Sequence, residues 1–106
     1  MTSKKDELIL GKAVIKFAVM DEEMQQFAMD KGREALQVMF HEQQIAQYLK
    51  SNFERKYKSH WHVVVGKLHS RSPLGRNFGA FVTHEDKRYI YFYIGQKGFL
   101  IWSTPT

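Results

Sequence analysis

Two histidines flank a tryptophan in the run His60-Trp61-His62. If the run is a strand, alternation places both imidazoles on one face. Imidazole is a common zinc ligand, but no third ligand lies at a recognisable spacing from this pair. The chain also has no cysteine, which excludes disulfides, thiolate catalysis and cysteine-based zinc sites. The sequence therefore predicts no metal and no other cofactor.

Catalytic groupings are equally incomplete. Ser70, Ser72 and His69 fall in a segment rich in loop-forming residues with no orienting acid beside them. Glu22 and Glu23 are adjacent, so a helix would point them to different sides. No glycine-rich phosphate loop is present. We predict that the protein is not an enzyme.

A tyrosine stripe is the first sign of a binding surface. Tyr89, Tyr91 and Tyr93 alternate with three apolar residues, Ile90, Phe92 and Ile94. In a strand the apolar set should face the core, and the phenols should line the opposite face while still reaching water.

Two helices are expected before the main strands. Asp21 is a suitable N-cap, with two acidic residues in the first turn, and apolar spacing predicts a helix to about Phe40. Gly32 falls inside this helix, where it costs about 1 kcal/mol relative to alanine unless a neighbouring element packs closely there. A second apolar series follows at Ile45, Leu49, Phe53 and Tyr57. The pattern does not separate one long helix from two, but two bury both apolar faces better in a small domain.

The strands surround this helical pair in sequence. A short edge strand is predicted at residues 12–17, where lysines discourage unwanted pairing. The next strand is predicted at residues 60–66, and residues 67–75 are predicted to be a loop. Residues 76–96 are predicted to form a hairpin whose turn lies at 85–88. A last strand is predicted at 98–102. The order predicts an α+β fold with two helices packed on an antiparallel sheet. Residues 1–11 are expected to be a mobile leader to a domain spanning 12–106.

Composition restricts the partners only loosely. The chain has 106 residues and a formal net charge of +5, from 16 basic and 11 acidic side chains. The basic residues are scattered, which favours a solvated surface over a nucleic-acid footprint. Residues 76–82 resemble the basic-aromatic RNP1 strand of RNA-recognition modules, but both helices precede the aromatic strands, whereas that module interleaves them. No apolar stretch approaches membrane-spanning length, so a soluble intracellular protein is predicted.

Several motifs resemble the small (eight-kilodalton) cytoplasmic dynein light chain family. The resemblance covers roughly residues 12–103 apart from residues 67–75. It rests on Lys12-Ala13-Val14-Ile15-Lys16, Glu22-Glu23-Met24-Gln25-Gln26, Trp61-His62, Arg76-Asn77-Phe78-Gly79, Val82-Thr83-His84-Glu85 and Ile90-Tyr91-Phe92-Tyr93.

The resemblance implies a strand-exchanged homodimer that acts as a hub. Residues 78–83 would form the strand that crosses to the partner's sheet. Disordered partner segments with a Thr-Gln-Thr-like core, including the dynein intermediate chain, would add as a further strand. The resemblance further implies that the protein lies in the cytoplasm, associated with microtubules, as a subunit of a cytoplasmic or axonemal dynein.

The resemblance also implies a site. Glu42 and Gln43 would meet the peptide glutamine, and His62 would lie at the dimer interface, where its protonation favours monomers. Phe78, Phe81, Val82 and Thr83 would share that interface. The groove would comprise Asn77, Phe78, Gly79, Ala80, Phe81, Val82, Thr83, His84, Tyr89, Tyr91, Tyr93 and Gly98 together with Glu42 and Gln43.

This sequence departs from the family pattern in four places. Gln43 stands where a lysine is usual, Ala80 and Phe81 replace a serine–tyrosine pair, and Gly98 and Phe99 alter the last strand. Residues 67–75 form an insertion ahead of the crossing strand. A longer connection lets that strand fold back on its own sheet, so a divergent monomeric protein with other partners is the alternative.

Overall fold

The protein is described here by a computed structural model, which defines residues 12–67 and 88–104. Strand β1 (Ala13–Val19) is followed by helices α1 (Glu22–Val38) and α2 (Glu42–Lys56). Strands β2 (His60–Lys67), β3 (Tyr89–Ile94) and β4 (Lys97–Thr104) complete the described chain. The predicted α+β class is confirmed.

The four strands form one antiparallel sheet in the order β1-β3-β4-β2. Among the strands of residues 12–67 and 88–104, β1 is therefore an edge strand, as its lysines predicted. β2 lies at the opposite edge, and β3 and β4 form a central hairpin whose turn contains Gly95 at a φ of 59°, a backbone conformation that suits glycine. The helices cover one face of this sheet.

The two predicted helices are confirmed as separate elements. Asp21 caps α1, because its Oδ1 accepts a hydrogen bond of 2.8 Å from the backbone N–H of Met24. The helix ends at Val38, two residues earlier than predicted, and Met39 is extended. No proline or glycine marks the break. It is set by packing, since Met24, Ala28 and Ala35 of α1 join the same buried core as α2 and the sheet.

The core lies between the helices and the sheet. Ile90, Phe92 and Ile94 are buried in it, which confirms the predicted inner face of β3. Phe53 is its aromatic centre: its ring lies 5.0 Å from that of Phe27 and 4.6 Å from that of Trp61.

Gly32 lets α1 approach the sheet closely. A Cβ added there would lie 3.3 Å from Ile94 Cδ1 and 3.4 Å from Phe92 Cε2. We expect Gly32→Ala to change the free energy of unfolding by less than about 1 kcal/mol, because the gain in helix propensity offsets the tight contact. Gly32→Leu should destabilise by roughly 1–3 kcal/mol through overpacking. Urea denaturation distinguishes the two, and equal stability of both variants would refute the close approach.

Two sequence predictions differ from the structure or fall beyond it. The loop was predicted to begin at Lys67, but Lys67 belongs to β2, because it continues the β2–β4 register opposite Lys97. The crossing strand at residues 78–83 and the remainder of the loop, residues 68–75, lie outside the described residues.

Candidate strand-addition edge

The candidate site is the free edge of β2. One edge of β2 pairs with β4 along its whole length, from His60 opposite Thr104 to Lys67 opposite Lys97. The other edge pairs with no strand among residues 12–67 and 88–104. Such an edge offers backbone N–H and C=O groups to an incoming strand.

A hollow of about 210 Å³ lies beside this edge. The first turn of α2 provides one wall through Glu42 and Gln43, and β2 provides the other through Val63, Val64 and Val65. The N-cap residue of α2, His41, makes no side-chain capping bond, so the helix N-terminus retains donor capacity. The fold thus brings Glu42 and Gln43 to the β2 edge.

Glu42 is held by a partner that the sequence did not indicate. Its carboxylate accepts a hydrogen bond from the Nζ of Lys97, and the two form an ion pair between α2 and β4. This contact lowers the pKa of Glu42 below its usual value, and the charge of Lys67 contributes less strongly in the same direction. A peptide group that enters the hollow therefore meets a carboxylate whose negative charge is already paired with the ammonium group of Lys97.

This ion pair predicts a small dependence of stability on pH. Since the folded state lowers the pKa of Glu42, its contribution is present above the ordinary value of 4.5 and lost as pH falls through the folded-state pKa. We expect Glu42→Gln to cost less than about 1 kcal/mol at neutral pH, because the pair is partly solvated, and progressively less as pH falls below 4.5 and through the lowered folded-state pKa. In a Lys97→Met background most of this pH-dependent cost should disappear in urea titrations; if it persists unchanged, Lys97 is not its source.

His62 lies on β2 and pairs with Trp102 of the adjacent strand β4. Its Nε2 is 3.1 Å from the Thr104 hydroxyl oxygen, and its ring stacks on Trp102 at 5.2 Å. The sequence indicated His62 but not these two contacts, which follow from the β2–β4 register.

The tyrosine face is only partly as predicted. Tyr89 and Tyr93 are half-buried, but Tyr91 is 3% exposed and packs with Leu100 and Trp102. The expectation that all three phenols reach water is therefore wrong for Tyr91. Burial, with a smaller contribution from Tyr93, raises the pKa of its phenol.

Gly98 lies on the same face, opposite Tyr93 on one side and Gly66 on the other. The remaining predicted groove residues, 77–84, lie outside the described residues, as do Ser70, Ser72 and His69. Where the structure is defined, no three His, Asp or Glu side chains cluster as a metal site would require. None of the described helices is long and apolar enough to cross a membrane.

Fold and edge together define a small two-layer α+β protein whose β2 edge is flanked by a helix N-terminus. Residues 12–104 match the dynein light chain type 1 family. The chain belongs to the dynein light chain family.

Solved structures support the fold independently. The chain is similar to the dynein light chain-like domain of the Fasciola hepatica calcium binding protein FhCaBP2, at 21% identity and a TM-score of 0.70, covering 89% of this chain and 92% of that one. It is also similar to the dynein light chain-like domain of CsTAL3, at 19% identity and a TM-score of 0.61, covering 89% and 94%. At such identities the likeness concerns the fold alone.

Proposed function

We propose that this protein is a non-catalytic dimerisation hub that binds short linear peptides by β-strand addition. The observation that supports it best is the free β2 edge flanked by Glu42 and Gln43. In this proposal residues 78–83 of a second protomer pair along β2, and a peptide with a Thr-Gln-Thr-like core adds beyond them. The peptide glutamine then lies at the N-terminus of α2, where free backbone N–H groups donate hydrogen bonds to its side-chain carbonyl.

A dimer of this kind holds two partner chains side by side. Each partner gains affinity through bivalency, because the second contact becomes intramolecular. Family membership supports dynein-associated partners, among which we propose the dynein intermediate chain and other disordered segments, at microtubules in the cytoplasm or axoneme.

The proposal is tested by the mass of the protein in solution near neutral pH, with and without a Thr-Gln-Thr-containing peptide. We expect a dimer that takes up two peptides. A dimer that ignores the peptide would refute the groove but not the exchange. A monomer that ignores it would mean that the insertion at residues 67–75 has abolished the exchange.

The position of His62 predicts that the dimer is sensitive to acid. Protonation gives an imidazole a positive charge, and a charge on β2 opposes burial beneath a second protomer. We expect the wild-type dimer to dissociate in mildly acidic buffer, whereas His62→Gln should remain dimeric, because the amide can still bond Thr104 but does not titrate. Sedimentation of both proteins at two pH values is the measurement; identical dissociation of both would assign the effect to other groups.

A further inference from the structure

A second concave surface lies on the helical layer. A groove of about 900 Å³ runs between α1 and α2. Its α2 wall includes Gln47, Ser51 and Arg55, whereas the buried row of α2 is Ile45, Leu49 and Phe53. Residues two positions beyond a buried row lie about 200° around a helix, so this wall faces away from the sheet.

The two helices run antiparallel, which gives the groove two distinct ends. Phe27, early in α1, contacts Phe53, late in α2, and Tyr48 near the middle of α2 donates to Glu34 at 2.7 Å. The C-terminal end of α1 therefore lies beside the start of α2, and Lys31 lies toward the end of α2.

One end of the groove is apolar and exposed. Val38 and Met39 line it beside Gln43 and Gln44. Val38 is 71% exposed, whereas Met39 packs partly against the core. The adjoining Phe40 is 88% exposed. Single exposed apolar residues are ordinary, but neighbours that continue into a groove form a patch of the kind that marks interaction sites.

The other end is cationic. Lys31 and Arg55 line it. Lys31 bonds Glu34 at 3.1 Å, whereas Arg55 forms no ion pair with another described residue. The polar middle is satisfied internally, since Gln47 donates to Ser51 and Asn52 to the Tyr48 carbonyl. The two ends therefore decide what binds.

We propose that this groove binds an amphipathic helix of a partner protein that carries a large apolar side chain at one end and carboxylates about three turns away. From Gln43 to Arg55 the groove spans about 18 Å along α2, which sets this spacing. A helix fits because the backbone groups of α1 and α2 are used within each helix and offer no edge for strand addition. Carboxylates fit because Arg55 has no carboxylate partner within residues 12–67 and 88–104.

A second copy of this chain fits the groove less well than an acidic amphipathic helix. It would bring the same cationic end and a formal net charge of +5, so self-association through the groove gains no charge complementarity. The groove shares Gln43 with the hollow beside β2, but its wall of Gln47, Ser51 and Arg55 faces away from the sheet. The proposal therefore goes beyond the strand-addition function, and Arg55 takes no part in that function.

The test is selection from a displayed library of amphipathic helices about five turns long, with the charged positions randomised. We expect binders enriched in Asp and Glu at the end opposite their apolar anchor. Amide shifts should map to α2 and the C-terminal half of α1. Arg55→Glu should weaken such a binder at least about tenfold, whereas Lys58→Glu, a matched charge reversal outside the groove, should leave its affinity nearly unchanged. Replacing the carboxylates of the binder by lysines should restore affinity for the Arg55→Glu variant.

Three results would overturn the proposal: binders with no charge preference, binders whose shifts map to β2, or no binder at all. Concentration-dependent self-association that Arg55→Glu alters would assign the groove to a second copy instead. The Arg55→Glu variant should still bind peptides that add as a strand beside β2. This measurement distinguishes failure of the helix-binding proposal from failure of the proposed hub function.

Discussion

Phe53→Ala is expected to lower the free energy of unfolding by about 3–5 kcal/mol. Phe53 is fully buried, and its ring contacts those of Phe27, Tyr57 and Trp61 at 5.0, 5.8 and 4.6 Å. Removing the ring leaves a cavity where α1, α2 and β2 meet. The surrounding rings belong to three elements, so the site closes up only in part.

The matched control is Phe40→Ala. Phe40 is 88% exposed, so the same chemical change should alter stability by less than about 0.5 kcal/mol. Phe53→Leu, which retains most of the volume, should cost less than about 1.5 kcal/mol. Urea denaturation monitored by far-UV circular dichroism measures all three. A Phe53→Ala variant no less stable than Phe40→Ala would mean that this cluster is not the core of the fold.

The local features of the fold were predictable because each is encoded within a few residues. The Asp21 cap, the buried row of α2 and the alternation of β3 each depend on neighbours one to four positions apart. Alternation also assigns Tyr91 to the outer face, but it contains no information on whether that face is covered, and this is why the burial of Tyr91 was missed.

The long-range contacts of the site were not predictable from the same patterns. Glu42 and Lys97 are 55 residues apart, and His62 and Thr104 are 42 apart. Both contacts depend on the strand order, which places β4 between β2 and β3. The two residues of each pair are too far apart in sequence for helix or strand periodicity to relate them. Only the family resemblance indicated Glu42 and the interface role of His62 beforehand, and it gave neither of their partners.

Val64→Lys is expected to yield a monomer at concentrations where the proposed dimer of the wild-type protein forms. Val64 lies on β2, 38% exposed, and lines the hollow beside Glu42. In the proposed dimer a strand of the second protomer covers this edge, so a lysine there must lose its water. The carboxylate of Glu42 is already engaged by Lys97 and is poorly placed to compensate it. Natural edge strands use lysine in this way to prevent pairing.

The expected effect is large because a two-fold dimer contains the substitution twice. If each site costs at least about 1.4 kcal/mol, the dimer dissociation constant rises at least about 100-fold. The matched control is Val19→Lys on β1, an exposed valine at the opposite edge of the same sheet, which should leave the dimer intact. Sedimentation of both variants measures the difference. A Val64→Lys monomer that keeps the far-UV circular dichroism spectrum of the wild-type protein and unfolds cooperatively would exclude misfolding as its cause. If Val64→Lys and Val19→Lys are equally dimeric, the protomers do not pair through β2, and strand exchange along this edge is refuted.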